Sequence, residues 1–242
     1  MKTLRIIIVM PAYQAGKTIA SVFDRIPKKT YNRIYKIIIV NDGCTDNTVK
    51  VIEKLKKRYK KIEVIVHKKN KGYGAAQKTG FNEVLRLKGD IGVLLHSDGQ
   101  YPPELMDKLL EPIIDNKADV VLGSRILGGE AIKGGMPLYK YFGNRFLTAI
   151  ENVAYGMDIS EYHSGYMLYS KKALEDIPFN KLSDTYHFDG EMTMMTGKKN
   201  LKIKEVPIPT RYAGEKSHLK PIKYGMDVLK IIWRYKIGKY DF

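Results

Sequence analysis

Polar side chains with the chemistry to hold a ligand follow three apolar runs of the sequence. Pro11-Ala12-Tyr13 follows the first run, Asn41-Asp42 follows the second, and His96-Ser97-Asp98-Gly99-Gln100 ends the third. An aromatic ring and a carboxylate can stack on and hydrogen-bond a nucleobase. A carboxylate at a strand end can hold a divalent cation through hard oxygen ligands, and the cation can in turn hold a diphosphate. These segments are therefore the candidate ligand-binding residues.

The elements that position these segments alternate along the chain. Continuous Ile and Val runs predict strands buried on both faces, at Leu4–Met10, Tyr35–Asn41, Ile62–His67, Ile91–His96 and Asp119–Gly123. Helical spacing predicts helices between them, at Thr18–Ile26, Asp46–Tyr59, Ala75–Leu87 and Pro103–Asp115. This alternation predicts an α/β fold with a mainly parallel central sheet flanked by helices, in which ligands bind at the carboxyl ends of the strands.

The pattern changes after Arg125. Paired glycines and Pro137 mark a loop over residues 128–137. Beyond the loop, the pattern predicts helices at Leu138–Ala154 and Phe188–Lys198, and strands at Ser164–Tyr169 and Lys202–Val206. Because no linker separates this half from the first, we expect both halves to share one sheet.

The composition excludes several classes of protein. Of the 242 residues, 44% are hydrophobic and 28% are charged, which excludes a disordered chain, a collagen-like repeat and a disulfide scaffold. No run reaches the ~18 consecutive apolar residues that a membrane-spanning helix needs. The single cysteine, Cys44, has no partner for an internal disulfide, and this favours a reducing, cytoplasmic location.

The net charge of +16 is concentrated in two segments. Residues 54–71 hold nine basic side chains and one acidic one, and residues 198–242 hold twelve and four. A local excess of this kind favours an anionic partner. The first segment is also interpreted as a solvated helix face with a Lys-rich composition typical of thermophile proteins. Since its only aromatic side chain is Tyr59, we expect no nucleic-acid partner.

The second basic segment interleaves its charge with apolar residues. From Tyr224 onward the spacing predicts a basic amphipathic helix, whose apolar face comprises Val228, Leu229, Ile232 and Tyr235 or Lys236. Such a helix can lie on an anionic membrane surface. It can also dock on the core while its basic residues are merely solvated, and the sequence leaves both interpretations open.

Two glycine-containing motifs are rejected as nucleotide sites. Gly16-Lys17-Thr18 resembles the end of a P-loop, but Pro11 stands at the first glycine position and lacks the N–H that an anion cradle uses. Residues 72–77 lack the third glycine of the dinucleotide fingerprint and begin several residues after their strand.

Short motifs in a fixed order connect most of the chain to one family. They are Pro11-Ala12-Tyr13, Val40–Asp46, Asn70–Ala76, Ser97–Glu104, Gly123-Ser124-Arg125, Ser164-Gly165-Tyr166, Phe188–Glu191, Glu205-Val206-Pro207 and Arg211–Ser217. In this order the chain resembles family 2 glycosyltransferases of the Rossmann-like GT-A fold, and among them the dolichyl-phosphate mannosyltransferase-like branch. The resemblance implies a catalytic domain over residues 1–218, followed by the basic amphipathic segment 219–242.

The resemblance implies a nucleotide-sugar donor held across the strand ends. The implied donor contacts are Pro11, Ala12, Tyr13, Asp42, Gly74, Ser97, Asp98, Arg211 and Lys216. Asp98 and Gln100 would bind Mg²⁺ or Mn²⁺, and the metal and basic side chains would neutralise the departing nucleoside diphosphate. Family members invert the anomeric carbon by direct displacement. Arg125 would help to hold an anionic acceptor such as a lipid phosphate.

Two acidic residues and one departure from the family pattern bear on the chemistry. Asp189 and Glu191 resemble the family's acidic helix start, and either would be the general base for a sugar hydroxyl acceptor. They are equally interpreted as carboxylates that a helix N-terminus favours. A phosphate acceptor is already anionic and needs no base. His96 stands where the family usually has a carboxylate, so one charge near the metal is missing; His163 and His187 are assigned no role.

The sequence supports two enzymatic hypotheses. The first is transfer of a sugar, with GDP-mannose favoured as donor, to a polyprenyl or dolichyl phosphate by a peripheral enzyme on the cytoplasmic face of the cell membrane. The second is transfer from a UDP-sugar to the hydroxyl of a glycan or glycolipid. A non-catalytic nucleic-acid-binding protein is a remote third hypothesis, which the lack of interleaved aromatic residues disfavours.

Overall fold

The computed structural model describes residues 4–210 and 221–242, which form helices around one central sheet. The strands are β1 (Ile6–Ala12), β2 (Ile34–Asp42), β3 (Ile62–His67), β4 (Ile91–Leu94), β5 (Val120–Ser124), β6 (Met167–Ser170) and β7 (Ile203–Pro207). The α-helices are α1 (Ile19–Asp24), α2 (Lys28–Arg33), α3 (Thr48–Arg58), α4 (Tyr73–Arg86), α5 (Met106–Ile114), α6 (Leu138–Tyr155), α7 (Lys171–Asp176), α8 (Phe188–Lys198) and α9 (Pro221–Lys236).

The seven strands are ordered β3-β2-β1-β4-β6-β5-β7. The strands β3, β2, β1 and β4 are parallel neighbours, and β5 is parallel to β7. Only β6 runs antiparallel to the strands on its two sides, β4 and β5. The predicted α/β fold with a mainly parallel sheet is therefore confirmed. The antiparallel direction of β6 was not predicted, because hydrophobic periodicity does not show in which direction a strand runs through the sheet.

The predicted elements differ from the observed ones mainly at their ends. The helix predicted from Pro103 begins as a 3₁₀ turn at Pro103–Leu105 and becomes α-helical at Met106. The strand predicted from Ser164 begins at Met167. Two helices, α2 and α7, are absent from the prediction, because their six residues span less than two turns and show little periodicity.

The core lies on both faces of the sheet. Successive residues of β1 point to opposite faces: Ile6, Ile8 and Met10 belong to the core beneath α1, α3 and α5, while Ile7 and Val9 belong to the core beneath α4 and α8. This burial on both faces explains why the strand is apolar throughout instead of alternating with polar residues.

The helix α9 packs on the core through one side. Val228 is buried, and Ile231 and Tyr235 are partly buried against the core beneath α4 and α8. Leu229 was expected on the same face as Val228, but it is 47% exposed. The core contacts therefore select a face rotated from the predicted one. The domain boundary at residue 218 stays a prediction, because it lies outside the described residues.

Close packing between α4 and β1 depends on a glycine. A Cβ atom at Gly80 would lie 2.2 Å from Cγ1 of Val9, which is buried in the centre of the sheet. Gly143 provides a contrast, because a Cβ atom at this position within α6 would meet no atom within 4 Å.

We expect Gly80→Ala to lower the free energy of unfolding by about 1–2 kcal/mol, because overpacking against Val9 outweighs the helix propensity gained with alanine. The matched variant Gly143→Ala should raise it by up to about 1 kcal/mol. Urea denaturation of both variants measures the two changes. A Gly80→Ala protein as stable as the parent would contradict the close packing.

Candidate active site

A cavity of about 880 Å³ opens at the carboxyl ends of β1, β2 and β4. Most of the predicted site residues line it, namely Pro11, Ala12, Tyr13, Asp42, Ser97, Asp98, Gln100, Arg125 and Asp189. Since β1 lies between β2 and β4, the polar segments that follow these strands meet at one edge of the sheet. The cavity continues from this edge to the first half of α6, where Tyr139, Lys140 and Asn144 line it.

Two predicted site residues in the described part of the chain, Gly74 and Glu191, are not among the residues that line the cavity. Gly74 packs behind the wall, where a Cβ atom would lie 2.5 Å from the carbonyl oxygen of Ser183. The buried carboxylate of Glu191 accepts hydrogen bonds from Tyr240 Oη and from the Ser183 backbone N–H. Through these bonds Glu191 connects α8 to Ser183 and Tyr240, away from the cavity. Arg211 and Lys216 lie outside the described residues.

Asp42 is buried at the end of β2, with both carboxylate oxygens occupied by the protein. Its Oδ1 lies 2.7 Å from His67 Nδ1 and accepts the Lys71 N–H at 2.9 Å. Its Oδ2 accepts the Gly72 N–H at 3.1 Å. Asp42 therefore holds the segment that enters α4. The prediction missed His67, which closes a strand 25 residues further along the chain.

The segment after β4 presents oxygen atoms to the cavity. Asp98 Oδ1 accepts the Gln100 N–H at 3.0 Å across a turn in which Gly99 has a φ of +82°. Ser97 donates its hydroxyl to the Pro11 carbonyl at 2.8 Å, which ties this turn to the end of β1. Within residues 4–210 and 221–242, no group of three His, Cys, Asp or Glu side chains is placed to hold a metal ion.

A network centred on Tyr73 joins His96 to Asp189. Tyr73 Oη lies 2.8 Å from His96 Nε2 and donates to Asp189 Oδ2 at 2.5 Å. Asp189 Oδ1 accepts from Gln77 Nε2 at 2.8 Å. Burial raises the pKa of Asp189, although His96 and these two hydrogen bonds oppose the increase. Both carboxylate oxygens of Asp189, the predicted base, are therefore hydrogen-bonded to protein side chains. Tyr73 lines the cavity, and the sequence analysis did not predict it as a site residue.

Arg125 is fixed at the far end of the cavity by a buried carboxylate. Its backbone N–H donates to Glu161 Oε2 at 2.8 Å, and its Nε donates to Glu161 Oε1 at 3.0 Å. Its Nη2 donates to Glu161 and to the His163 carbonyl. Asn144 also donates to Glu161 Oε1. Glu161 lies 36 residues from Arg125 in the sequence, and no local pattern signals their pairing.

The pKa of Glu161 reflects this pairing. Burial acts to raise the pKa, but the Arg125 charge and the hydrogen bonds from Arg125 and Asn144 outweigh burial and hold it below the ordinary value of 4.5. Glu161 therefore binds a proton more weakly in the folded protein than in the unfolded chain. Its contribution to stability is complete above pH 4.5 and is lost as the pH falls below that value.

We expect Glu161→Gln to lower the free energy of unfolding by about 3 kcal/mol at neutral pH, because it removes the buried carboxylate charge that pairs with Arg125. The difference from the parent should shrink as the pH falls below 4.5, where the parent carboxylate also takes up a proton. Urea denaturation across this range measures both effects. The control Glu53→Gln removes an exposed pair with Lys56 and should change stability by less than about 0.5 kcal/mol. Equal losses in the two variants would contradict the assignment.

The chain is similar in sequence to known glycosyltransferases. The glycosyl transferase family 2 model matches residues 7–178. The UDP-N-acetylglucosamine–dolichyl-phosphate N-acetylglucosaminyltransferase of Methanococcus voltae is 34% identical over 219 residues, which cover 86% of this chain and 86% of that protein. The dolichol-phosphate mannosyltransferase of Pyrococcus furiosus is 28% identical over 206 residues, 84% of this chain and 56% of that protein.

The fold is shared with solved glycosyltransferases. Glucosyl-3-phosphoglycerate synthase of Mycobacterium tuberculosis, crystallised with Mn²⁺, UDP-glucose and phosphoglyceric acid, superposes with a TM-score of 0.70 at 20% identity. The superposition covers 97% of this chain and 80% of that one. The sheet, the strand-end cavity and the family match therefore lead to one conclusion: the chain belongs to glycosyl transferase family 2 and has the GT-A fold.

Proposed function

We propose that the protein transfers a sugar from a nucleoside-diphosphate donor to a polyprenyl phosphate, with inversion at the anomeric carbon. The observation that carries the proposal is the continuous cavity, which joins the strand ends at Tyr13 and Asp98 to Arg125 and Lys140. Such a cavity has room for a donor at one end and an anionic acceptor at the other. The names of relatives support this assignment, since they describe transfer of N-acetylglucosamine, mannose and glucose to dolichyl phosphate.

The strand-end part of the cavity suits a nucleotide donor. Tyr13 is 54% exposed and offers its ring to a base. Asp98 and Gln100 offer a carboxylate and an amide oxygen, which fit Mg²⁺ or Mn²⁺, since such ions take one or two carboxylates together with substrate phosphates. A bound ion would supply positive charge to the departing diphosphate. The synthase that shares the fold was crystallised with Mn²⁺ and UDP-glucose, which supports the same use here.

A phosphate acceptor accounts for the setting of Asp189. An acceptor phosphate oxygen forms the new bond to the anomeric carbon while the bond from that carbon to the diphosphate breaks, so negative charge moves to the leaving group. No proton has to be removed from the acceptor. Asp189 can therefore remain bonded to Tyr73 and Gln77 throughout the reaction. A hydroxyl acceptor would need a free base, and Asp189 would first have to give up one of these bonds.

The surface beside the acceptor end suits an anionic membrane. The helices α6 and α9 lie side by side, because Leu147 is next to Gly225 and the ring of Tyr155 packs on that of Tyr235. We call the large apolar side chains that they expose the apolar stripe: Leu138, Phe142, Phe146, Val153, Met226, Leu229 and Trp233. Exposed basic residues accompany it, namely Arg145, Lys230, Arg234 and Lys236. Apolar side chains flanked by basic ones are typical of surfaces that lie on anionic lipid.

The proposal includes peripheral attachment at the cytoplasmic face of the cell membrane. No helix in the described parts of the chain is long and apolar enough to cross a bilayer. The apolar stripe would provide attachment instead, and it would place the opening of the cavity near a lipid acceptor. The single cysteine supports a reducing compartment.

The donor nucleotide is the finer part of the proposal. GDP-mannose is the donor that the sequence motifs favoured. The 34% identity to an enzyme named for UDP-N-acetylglucosamine exceeds the 28% identity to the mannosyltransferase, and we therefore rank UDP-N-acetylglucosamine first. Melting temperatures measured with UDP and with GDP, each with and without Mn²⁺, distinguish the two, because a ligand that binds only the folded state raises the melting temperature.

We expect Asp98→Asn to abolish the Mn²⁺-dependent rise in melting temperature and to slow sugar transfer by at least about a hundredfold, because the metal loses its charged ligand. The assay offers radiolabelled nucleotide sugar with a polyprenyl phosphate or with a sugar hydroxyl acceptor. Asp115→Asn is the control, since Asp115 pairs with Lys117 on the surface, away from the cavity. Full activity in Asp98→Asn would refute the metal assignment. If the parent protein transferred the sugar only to the hydroxyl acceptor, the proposed polyprenyl phosphate acceptor would be wrong.

We expect Phe146→Glu and Trp233→Glu each to weaken binding to phosphatidylglycerol vesicles about tenfold, because each removes an inserted aromatic side chain. The control Val66→Glu makes the same change of charge outside the apolar stripe, on the edge strand β3, where Val66 is 63% exposed. Vesicle co-sedimentation measures all three variants. Equal binding by the parent, Phe146→Glu and Trp233→Glu would rule out the apolar stripe as the attachment surface.

A further inference from the structure

A cluster of polar side chains lies behind the acceptor end of the cavity. Its members come from α6 (Glu151), from the segment before β6 (His163), from the residue before α8 (His187) and from α9 (Tyr224 and Asp227). His163 and Tyr224 line the cavity, whereas Glu151 is buried behind them. The reaction proposed above leaves this cluster without a role.

His163 connects three elements of the acceptor end. Its Nδ1 lies 2.9 Å from Tyr224 Oη, and its Nε2 lies 3.2 Å from Glu151 Oε2. Nε2 and Oε2 are both buried, and neither has a hydrogen-bond partner of standard geometry within the described part of the chain, so this approach is their main polar contact. The His163 carbonyl accepts from Arg125 Nη2 at 2.7 Å, so one residue orients both Arg125 and Tyr224.

Tyr224 is held in place from a second side. Its ring stacks on that of His187, with centroids 4.5 Å apart and planes inclined by 24°. His187 Nε2 in turn lies 3.5 Å from Asp227 Oδ2, one helical turn beyond Tyr224. Burial raises the pKa of Tyr224 above the ordinary value for a phenol, and the charge of Glu151 adds to the increase. The hydroxyl therefore keeps its proton, which suits a hydrogen-bond donor and not a base.

The bond to His163 leaves the Tyr224 hydroxyl with unused hydrogen-bonding capacity. A phenol donates one hydrogen bond and accepts others. When His163 Nδ1 carries a proton, Nδ1–H donates to Tyr224 Oη. The phenol proton is then available to an anion in the cavity. Arg125 and Tyr224 both line the cavity and both contact His163, which places the two groups at one end of the cavity.

We propose that Tyr224 donates a hydrogen bond to the anionic headgroup of the acceptor, and that His163, backed by Glu151, is the positioning residue that holds Tyr224 and Arg125 for this contact. The inference rests on the proposed function, since it assigns a residue to the acceptor part of that site. It also assigns two roles to α9, because this helix carries part of the apolar stripe and supplies Tyr224 to the cavity.

The test uses farnesyl phosphate as the acceptor, with the uncharged alcohol farnesol as its comparison. We expect Tyr224→Phe, which keeps the stacked ring, to weaken binding of farnesyl phosphate about tenfold, the size of one hydrogen bond to a charged group. The KM for the acceptor should rise by the same factor. The affinity for the nucleoside diphosphate and the binding of farnesol should stay unchanged. Tyr235→Phe is the matched control, because Tyr235 lies on α9 with its ring against Tyr155.

The positioning role of His163 is tested with a double-mutant cycle. His163→Gln should raise the acceptor KM, and adding Tyr224→Phe should cause little further loss, because both changes remove one contact. Additive losses would overturn the positioning role. A rise in the acceptor KM that is matched by weaker nucleotide binding and a lower melting temperature would show a structural role instead.

Isothermal titration calorimetry separates this inference from the proposed function. Binding of farnesyl phosphate that depends on Tyr224, without any sugar transfer by the parent protein, would refute the proposed function and keep the anion contact. Transfer to farnesyl phosphate with equal KM in the parent and in Tyr224→Phe would keep the function and refute the contact. Failure of the parent to bind farnesyl phosphate would refute both.

Discussion

The neighbouring positions of β1, β2 and β4 in the sheet are the constraint on which the candidate site depends. Each strand is apolar on both faces and therefore buried, so the first polar residues after it emerge at the carboxyl edge. Parallel strands lie about 4.8 Å apart, and this spacing brings Tyr13, Asp42 and Asp98 into one cavity. The antiparallel strand β6 contributes the segment that precedes it to the same edge of the sheet. Its preceding segment, with His163 and Gly165, reaches the cavity because that strand begins where its neighbour β4 ends.

Buried carboxylates make the walls of this cavity rigid. A buried charge is costly unless it is paired and hydrogen-bonded, and each carboxylate here is hydrogen-bonded to residues that are distant from it in the sequence. Asp42 holds the entry to α4, Asp189 holds Tyr73 and Gln77, and Glu161 holds Arg125. Tyr73 and Arg125, which face the cavity, are therefore held in place by the protein's own carboxylates. A site of this kind stabilises developing charge without having to reorganise during the reaction.

The sequence predicted the parts of the molecule that depend on local pattern. The strand ends with Tyr13, Asp42 and Asp98 were predicted because apolar runs and the residues that follow them are contiguous. The partners of these residues were not predicted, since pairs such as Asp42 with His67 and Arg125 with Glu161 form only in the folded chain. The exposure of Leu229 shows the same limit, because the core, and not the helical period, decides which side of α9 is buried.

The helices α6 and α9 each present one side to the cavity and the opposite side to the surface. On α6, Asn144 lines the cavity while Phe146 is exposed, and on α9 Tyr224 lines it while Trp233 is exposed. A helix is about 10 Å across, so the side that suits a lipid surface and the side that suits a headgroup are separated by one helix diameter. In the membrane attachment that we propose, a lipid acceptor in its bilayer would present its phosphate to the cavity at this depth. Two helices resting on the membrane surface would suffice for this proposed arrangement, because the headgroup would have only to cross their width.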